Sequence, residues 1–201
     1  MKRPNPDSRC PQCRISKIFC YCSSVRPFYN KNFVTLLIHH REKHLTTNTA
    51  VLANRVLKNS EIFYRGVKDA PIEQLSFEKA GHRSIVLFPD EQSHALDQTF
   101  LEEFPGPYNL IVPDGSWSQA RKFKKRIKYL QEIPSVHLPF TYESEYYLRR
   151  QTRKENLCTY EAIMRSLGII EGNDVESEML LSFRAMVSNI LRSRTSSYSN
   201  V

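Results

Sequence analysis

Beyond residue 30 the chain alternates short apolar runs with amphipathic stretches. The run Phe33-Val34-Thr35-Leu36-Leu37-Ile38 is almost unbroken in apolar character, as a strand covered on both faces requires. Residues 84–88 (Ser-Ile-Val-Leu-Phe) and 109–112 (Asn-Leu-Ile-Val) read the same way, with shorter strands expected at 61–64 and 136–138. Between them, Leu52, Ala53, Val56 and Leu57 fall on one face of a helix over 46–58, with Thr46, Thr47 and Asn48 available as caps. Trp117, Ala120, Phe123, Ile127 and Leu130 are spaced three or four apart, which predicts a helix over 116–131 with Trp117 packed into the core. Residues 160–167 and 176–191 are helical in pattern, and 195–201 read as a polar, frayed end. Strands alternating with helices imply an α/β fold, a mostly parallel sheet with helices on both faces.

This pattern has a consequence for function. His39-His40-Arg41-Glu42, Pro89-Asp90-Glu91 and Pro113-Asp114-Gly115-Ser116-Trp117 each follow a strand directly. In a parallel sheet all three sit at the carboxyl edge, where ligands bind. Asp114 has two readings there: a cap for the helix it precedes, or a carboxylate placed to polarise or remove a proton. His39, His40 and His44 have no spacing that compels a metal and read as polar loop residues lining a pocket. No glycine-rich phosphate loop of the P-loop or dinucleotide type occurs.

Residues 1–30 are different in kind, a loop-rich module ahead of a catalytic domain over 31–194. Cys10, Cys13, Cys20 and Cys22 supply four thiolates within 13 residues, the number that closes a tetrahedral zinc site and leaves it a structural role. Cys158 stands apart and reads as a packing residue.

Charge adds a class of partner. Lysine and arginine total 29 against 21 acidic residues, a net charge of +8, which favours polyanions and, first among them, nucleic acid. Arg121, Lys122, Lys124, Lys125 and Lys128 line one side of the helix that begins at the predicted site. Arg149, Arg150, Arg153 and Lys154 form a second basic stretch beside Tyr146 and Tyr147, which are candidates for stacking on bases. No apolar run reaches the length of a membrane span, and the start of the chain lacks a signal-peptide core, so a cytoplasmic protein without a membrane partner is expected.

The residues just quoted resemble the DTW-domain family, named for an Asp-x-Thr/Ser-Trp motif that stands here as Asp114-Gly115-Ser116-Trp117. The resemblance spans nearly the whole chain: the cysteine cluster, His39-His40-Arg41-Glu42 with Thr47-Asn48-Thr49, Leu87-Phe88-Pro89, Tyr147-Leu148-Arg149, and Leu157-Cys158-Thr159-Tyr160-Glu161-Ala162. Ser116 stands where threonine is usual and keeps the hydroxyl. The resemblance implies a tRNA-uridine aminocarboxypropyltransferase that uses S-adenosylmethionine, with a fold similar to the knotted SPOUT methyltransferases. It implies a cofactor bed at Leu87, Phe88, Pro89, Asp114, Ser116, Leu138 and Thr159, with Asp114 as the catalytic candidate. Two alternatives stay open at this point: a methyltransferase acting on RNA with the same cofactor, and a non-catalytic zinc-containing RNA-binding protein.

Overall fold

The computed structural model describes residues 8–66, 77–148 and 157–195. Six strands form one sheet in the order β2-β1-β5-β3-β6-β4, with every pairing parallel. They are β1 (Phe33–His39), β2 (Ser60–Arg65), β3 (Arg83–Leu87), β4 (His94–Ala95), β5 (Tyr108–Asp114) and β6 (Ser135–His137). The helices are α1 (Thr49–Val56), α2 (Gln98–Glu103), α3 (Trp117–Arg126), α4 (Lys128–Glu132), α5 (Thr159–Glu171) and α6 (Asn173–Thr195).

The central strands are apolar on both sides because both sides are covered. Val34, Leu36, Ile38, Ile85, Leu110 and Val112 share one core with α1, α5 and α6, while Leu37 and Ile111 pack on the other face against Phe123, Ile127 and Leu130. The cysteine module belongs to the first core: Cys10, Cys13, Ile15 and Tyr21 are buried in it. The chain leaves that module through Phe28, whose N–H and C=O bond to Val56 and Lys58.

Two expectations need correction. The helix over 116–131 is broken at Ile127, which takes an extended conformation (φ −97°, ψ 108°). The break is closed by side chains: Lys124 Nζ donates to the Leu130 carbonyl, and Gln131 Nε2 donates to that of Lys125 at 2.9 Å. Trp117 is not in the core; it is 59% exposed, the first residue of α3, beyond the reach of the buried stripe that starts at Ala120.

Candidate active site

All six strands end on the same edge, and the neighbours β5, β3 and β6 supply the bed of a cleft of about 410 Å³. Leu87, Phe88 and Pro89 leave β3, Val112, Pro113 and Gly115 end β5, and His137 and Leu138 end β6. The walls are Trp117 and Ala120 from α3, the 140–142 segment, and Leu157, Thr159 and Ala162 at the start of α5. Apolar atoms dominate this lining. Trp117 meets Phe88 at a centroid distance of 6.1 Å, while Phe140, 69% exposed, stands at the mouth.

A second, smaller cavity of about 130 Å³ adjoins the first through Gly115, Leu157 and Thr159, and it is polar. Glu42, Asn48, Thr49, Asp114, Tyr146 and Cys158 complete it. Asp114 is buried at this smaller cavity and accepts from Thr159 Oγ1 and from Asn48 Nδ2, the latter at 3.3 Å. Asn48 is itself fixed, because its Oδ1 caps α1 by accepting from Val51 N–H (3.0 Å) and its Nδ2 also donates to the Glu42 carbonyl (3.2 Å). Three segments far apart in the chain thus converge on one carboxylate.

The capping reading of Asp114 fails. Ser116 caps α3, accepting from Gln119 N–H (3.3 Å), while the Gln119 side chain accepts from Ser116 N–H (2.7 Å), a reciprocal capping box. Asp114 lines the smaller cavity, whereas Ser116 lines neither. Gly115 makes the turn possible: its φ is +153°, and a Cβ there would lie 2.8 Å from Gln119 Oε1.

The start of α5 is held by Glu161, a buried carboxylate that accepts from Cys158 N–H (2.8 Å), Glu145 N–H (2.6 Å) and Ser144 Oγ (2.7 Å). This ties the 144–146 segment to Thr159 and so to Asp114. Tyr146 is part of that tie, buried with its hydroxyl donating to the Thr47 carbonyl (2.8 Å), and is not available to stack on a base; Tyr147 is 69% exposed. Burial pushes the Cys158 thiol well above its ordinary range. Burial, with His40 and Arg41 beside it, lowers His39, whose ring stacks on Phe123.

Of the basic side chains, Arg121, Lys122, Lys125 and Lys128 are exposed on α3 and α4, with Lys128 paired to Glu132 at 3.6 Å. Lys124 is half-buried in its clasp on Leu130, and burial lowers its pKa. Arg149, Arg150 and Arg153 lie outside the described residues.

The cysteines meet the geometric test for a metal. Their four sulfurs lie within 4.8 Å of one another, with Cys10–Cys22 and Cys13–Cys20 each at 3.7 Å. A tetrahedron with Zn–S of about 2.3 Å has sulfur–sulfur edges of about 3.8 Å. The Cys13 backbone N–H lowers the Cys10 thiol to about 6, whereas burial pushes Cys13 up to about 12. Four thiolates this close need a cation to ionise together.

The DTW domain model matches residues 7–191. Proteins named tRNA-uridine aminocarboxypropyltransferase 2 are similar to this chain: 23% identical over 177 residues in Drosophila melanogaster, 23% in Macaca fascicularis and 25% in Mus musculus. The matches cover 84–86% of this chain. They span 68% of the fly protein but 59% of the two mammalian ones. Among solved structures, the SAM-dependent rRNA:acp-transferase from Vulcanisaeta distributa shares the fold, with a TM-score of 0.53 at 18% identity, covering 81% of this chain and 79% of that one. The match of the DTW domain model along almost its entire length makes this chain a member of the DTW domain family.

Proposed function

We propose that this chain transfers the 3-amino-3-carboxypropyl group of S-adenosylmethionine to N3 of a uridine in tRNA. The observation that carries this reading is the pairing of an apolar cleft with a polar annex that holds Asp114, the two joined at Gly115, Leu157 and Thr159. The cleft suits the adenosine, with Leu87, Phe88, Pro89 and Leu138 as its bed and Trp117 and Ala120 beside the sulfonium methyl. The annex suits the charged amino-acid end: Glu42 can face its ammonium, and the Thr159 backbone N–H at the start of α5 its carboxylate.

That orientation decides the chemistry. A sulfonium activates all three attached carbons, and the one held in line with the nucleophile reacts. With the methyl against an apolar wall and the tail drawn to the annex, the Cγ of the methionyl chain is presented. The N3–Cγ bond forms, the Cγ–S bond breaks with its electron pair passing to sulfur, and methylthioadenosine leaves. The N3 proton goes to a base, for which Asp114 is the group in place. N3 lies on the Watson–Crick edge, so the uridine must be unpaired or flipped out of a stack, as in a variable-loop position of tRNA.

Zinc held by Cys10, Cys13, Cys20 and Cys22 would fix residues 8–28 on α6 and α1 and would take no part in the reaction, since four sulfurs leave it no open position. A cytoplasmic protein, a module over 1–30 ahead of a catalytic domain over 31–194, and the trefoil knot of the SPOUT-like resemblance complete the proposal. The test is nucleoside mass spectrometry after incubating the purified protein with S-adenosylmethionine and tRNA. The expected product is uridine carrying an aminocarboxypropyl group, with methylthioadenosine released in equal amount. A methyl addition, with S-adenosylhomocysteine released, would replace this reading by a methyltransferase.

A further inference from the structure

We infer that the cysteine module carries a phosphate-binding cleft that docks the sugar–phosphate backbone of the substrate tRNA, apart from the basic face of α3. The inference rests on the reading of the substrate as tRNA. A cleft of about 620 Å³ opens between the cysteine module and the loop after β1. Arg9, Arg14 and Lys17 line it from the module, and His44 and Thr46 from the loop. The three cationic side chains are exposed, no carboxylate lines the cleft, and none of the three takes part in an ion pair among the described residues. The one carboxylate of the 40–46 loop, Glu42, lines the Asp114 annex instead.

Arg14 makes the case beyond charge. It has φ of +62°, the left-handed conformation glycine adopts without cost, and it is the described non-glycine residue found there. The turn needs that conformation, since Cys10 N–H bonds to the Ile15 carbonyl (2.8 Å) and Arg14 N–H to that of Cys10 (2.9 Å). An arginine in it is unfavourable by about 1 kcal/mol or more against glycine. What it provides in return is a guanidinium that reaches His44 Nδ1 (3.0 Å) and the Lys43 carbonyl (3.4 Å), with donors left over for an anion in the cleft. The loop it holds is the one that runs through Glu42 to Asn48 and Asp114. A backbone phosphate seated here would therefore set the RNA in register with the reacting carboxylate.

The test uses the full chain with its metal content measured, and leaves Arg14 untouched because it also braces the loop. Arg9→Glu/Lys17→Glu is compared with Lys122→Glu/Lys125→Glu and wild type for tRNA binding across several salt concentrations. The first double variant should bind tRNA at least tenfold more weakly, with the log–log salt slope reduced by roughly two units. S-adenosylmethionine affinity and metal content should remain those of wild type. Arg9→Gln/Lys17→Gln, a milder change, should show the same direction if the charge reversal loses metal. Unchanged tRNA affinity and slope in a metal-replete variant would overturn the inference while leaving transfer by wild type intact. Wild-type protein that neither binds nor modifies tRNA would overturn both this and the function proposed above.

Discussion

Asn48→Asp is the sharpest probe of the carboxylate network. The change keeps the cap on α1, because aspartate and asparagine cap equally well. It also replaces the donor facing Asp114 by a second carboxylate at 3.3 Å, with both residues buried. At that distance two negative charges repel by about 5 kcal/mol for an effective dielectric near 20, equivalent to raising one pKa by about 3.7 units. One proton would then be shared by the pair to a pH well above the ordinary aspartate range of about 3.9. The folded-state pKa is raised, so stability is intact below about pH 4 and falls as pH rises. The deficit against wild type is about 1.5 kcal/mol at pH 5 and about 4 kcal/mol at pH 7. Asn48→Ala loses the cap and the donor, about 2–3 kcal/mol, with no such dependence on pH. Urea unfolding of wild type and both variants at pH 5, 6 and 7 measures this. An Asn48→Asp deficit that is the same at pH 5 and pH 7 would show that these two side chains are not in contact, and the site geometry would need redrawing.

Asp114→Asn can keep both contacts, its oxygen accepting from Asn48 and its NH₂ donating to the Thr159 hydroxyl. It should fold and bind S-adenosylmethionine as wild type does, yet lose transfer by about 10²-fold or more; near-normal turnover in single-turnover assays would end the general-base role. Trp117→Ala should leave unfolding within about 0.5 kcal/mol of wild type, since the ring is mostly exposed, while weakening S-adenosylmethionine binding about tenfold by calorimetry. The opposite split, loss of stability with affinity kept, would make Trp117 a core residue after all. Native-purified protein should contain about one zinc per chain, and Cys10→Ser should lose it together with thermal stability before any loss of chemistry in the folded fraction. Metal analysis that finds none would remove the zinc assignment.

The parts of the molecule visible in the sequence are those with a local period or a doubly buried run. Residues 33–38, 84–88 and 109–112 announced β1, β3 and β5 because strands covered on both faces tolerate few polar positions. The two residues of β4 and six of α2 are too short to show any period. Trp117 shows the limit of periodicity, which assigns a face of the helix and not the point at which the core beneath it ends. Strand-edge reasoning brought Pro89 and Asp114 to one edge, whereas Leu87, Phe88, Leu138 and Thr159 came from the family resemblance. The partners of Asp114 were out of reach: Asn48 and Thr159 lie 66 and 45 residues away. A helix cap such as Asn48 is locally satisfied by its own turn, so nothing local marks its second bond.

On the proposed reaction, those two partners also set when the proton moves. A carboxylate is intrinsically a weaker base than the N3 anion of uridine, and both oxygens of Asp114 already accept hydrogen bonds. Full removal of the N3 proton before attack is then unfavourable. As the N3–Cγ bond forms, N3 acquires positive character and its proton becomes steadily more acidic, so transfer to a weak, fixed carboxylate becomes downhill late in the displacement. The sulfonium imposes a matching constraint. Its positive charge is lost as the Cγ–S bond breaks, so a carboxylate beside sulfur would stabilise the reactant more than the transition state and slow the reaction. The apolar lining of the cleft at Trp117 and Ala120, with the carboxylates Glu42 and Asp114 confined to the annex, keeps negative charge away from the departing sulfur and near the proton that must leave. A methyl transfer would present the methyl carbon to the annex and bury the charged amino-acid tail in the apolar cleft, the costlier arrangement by several kcal/mol.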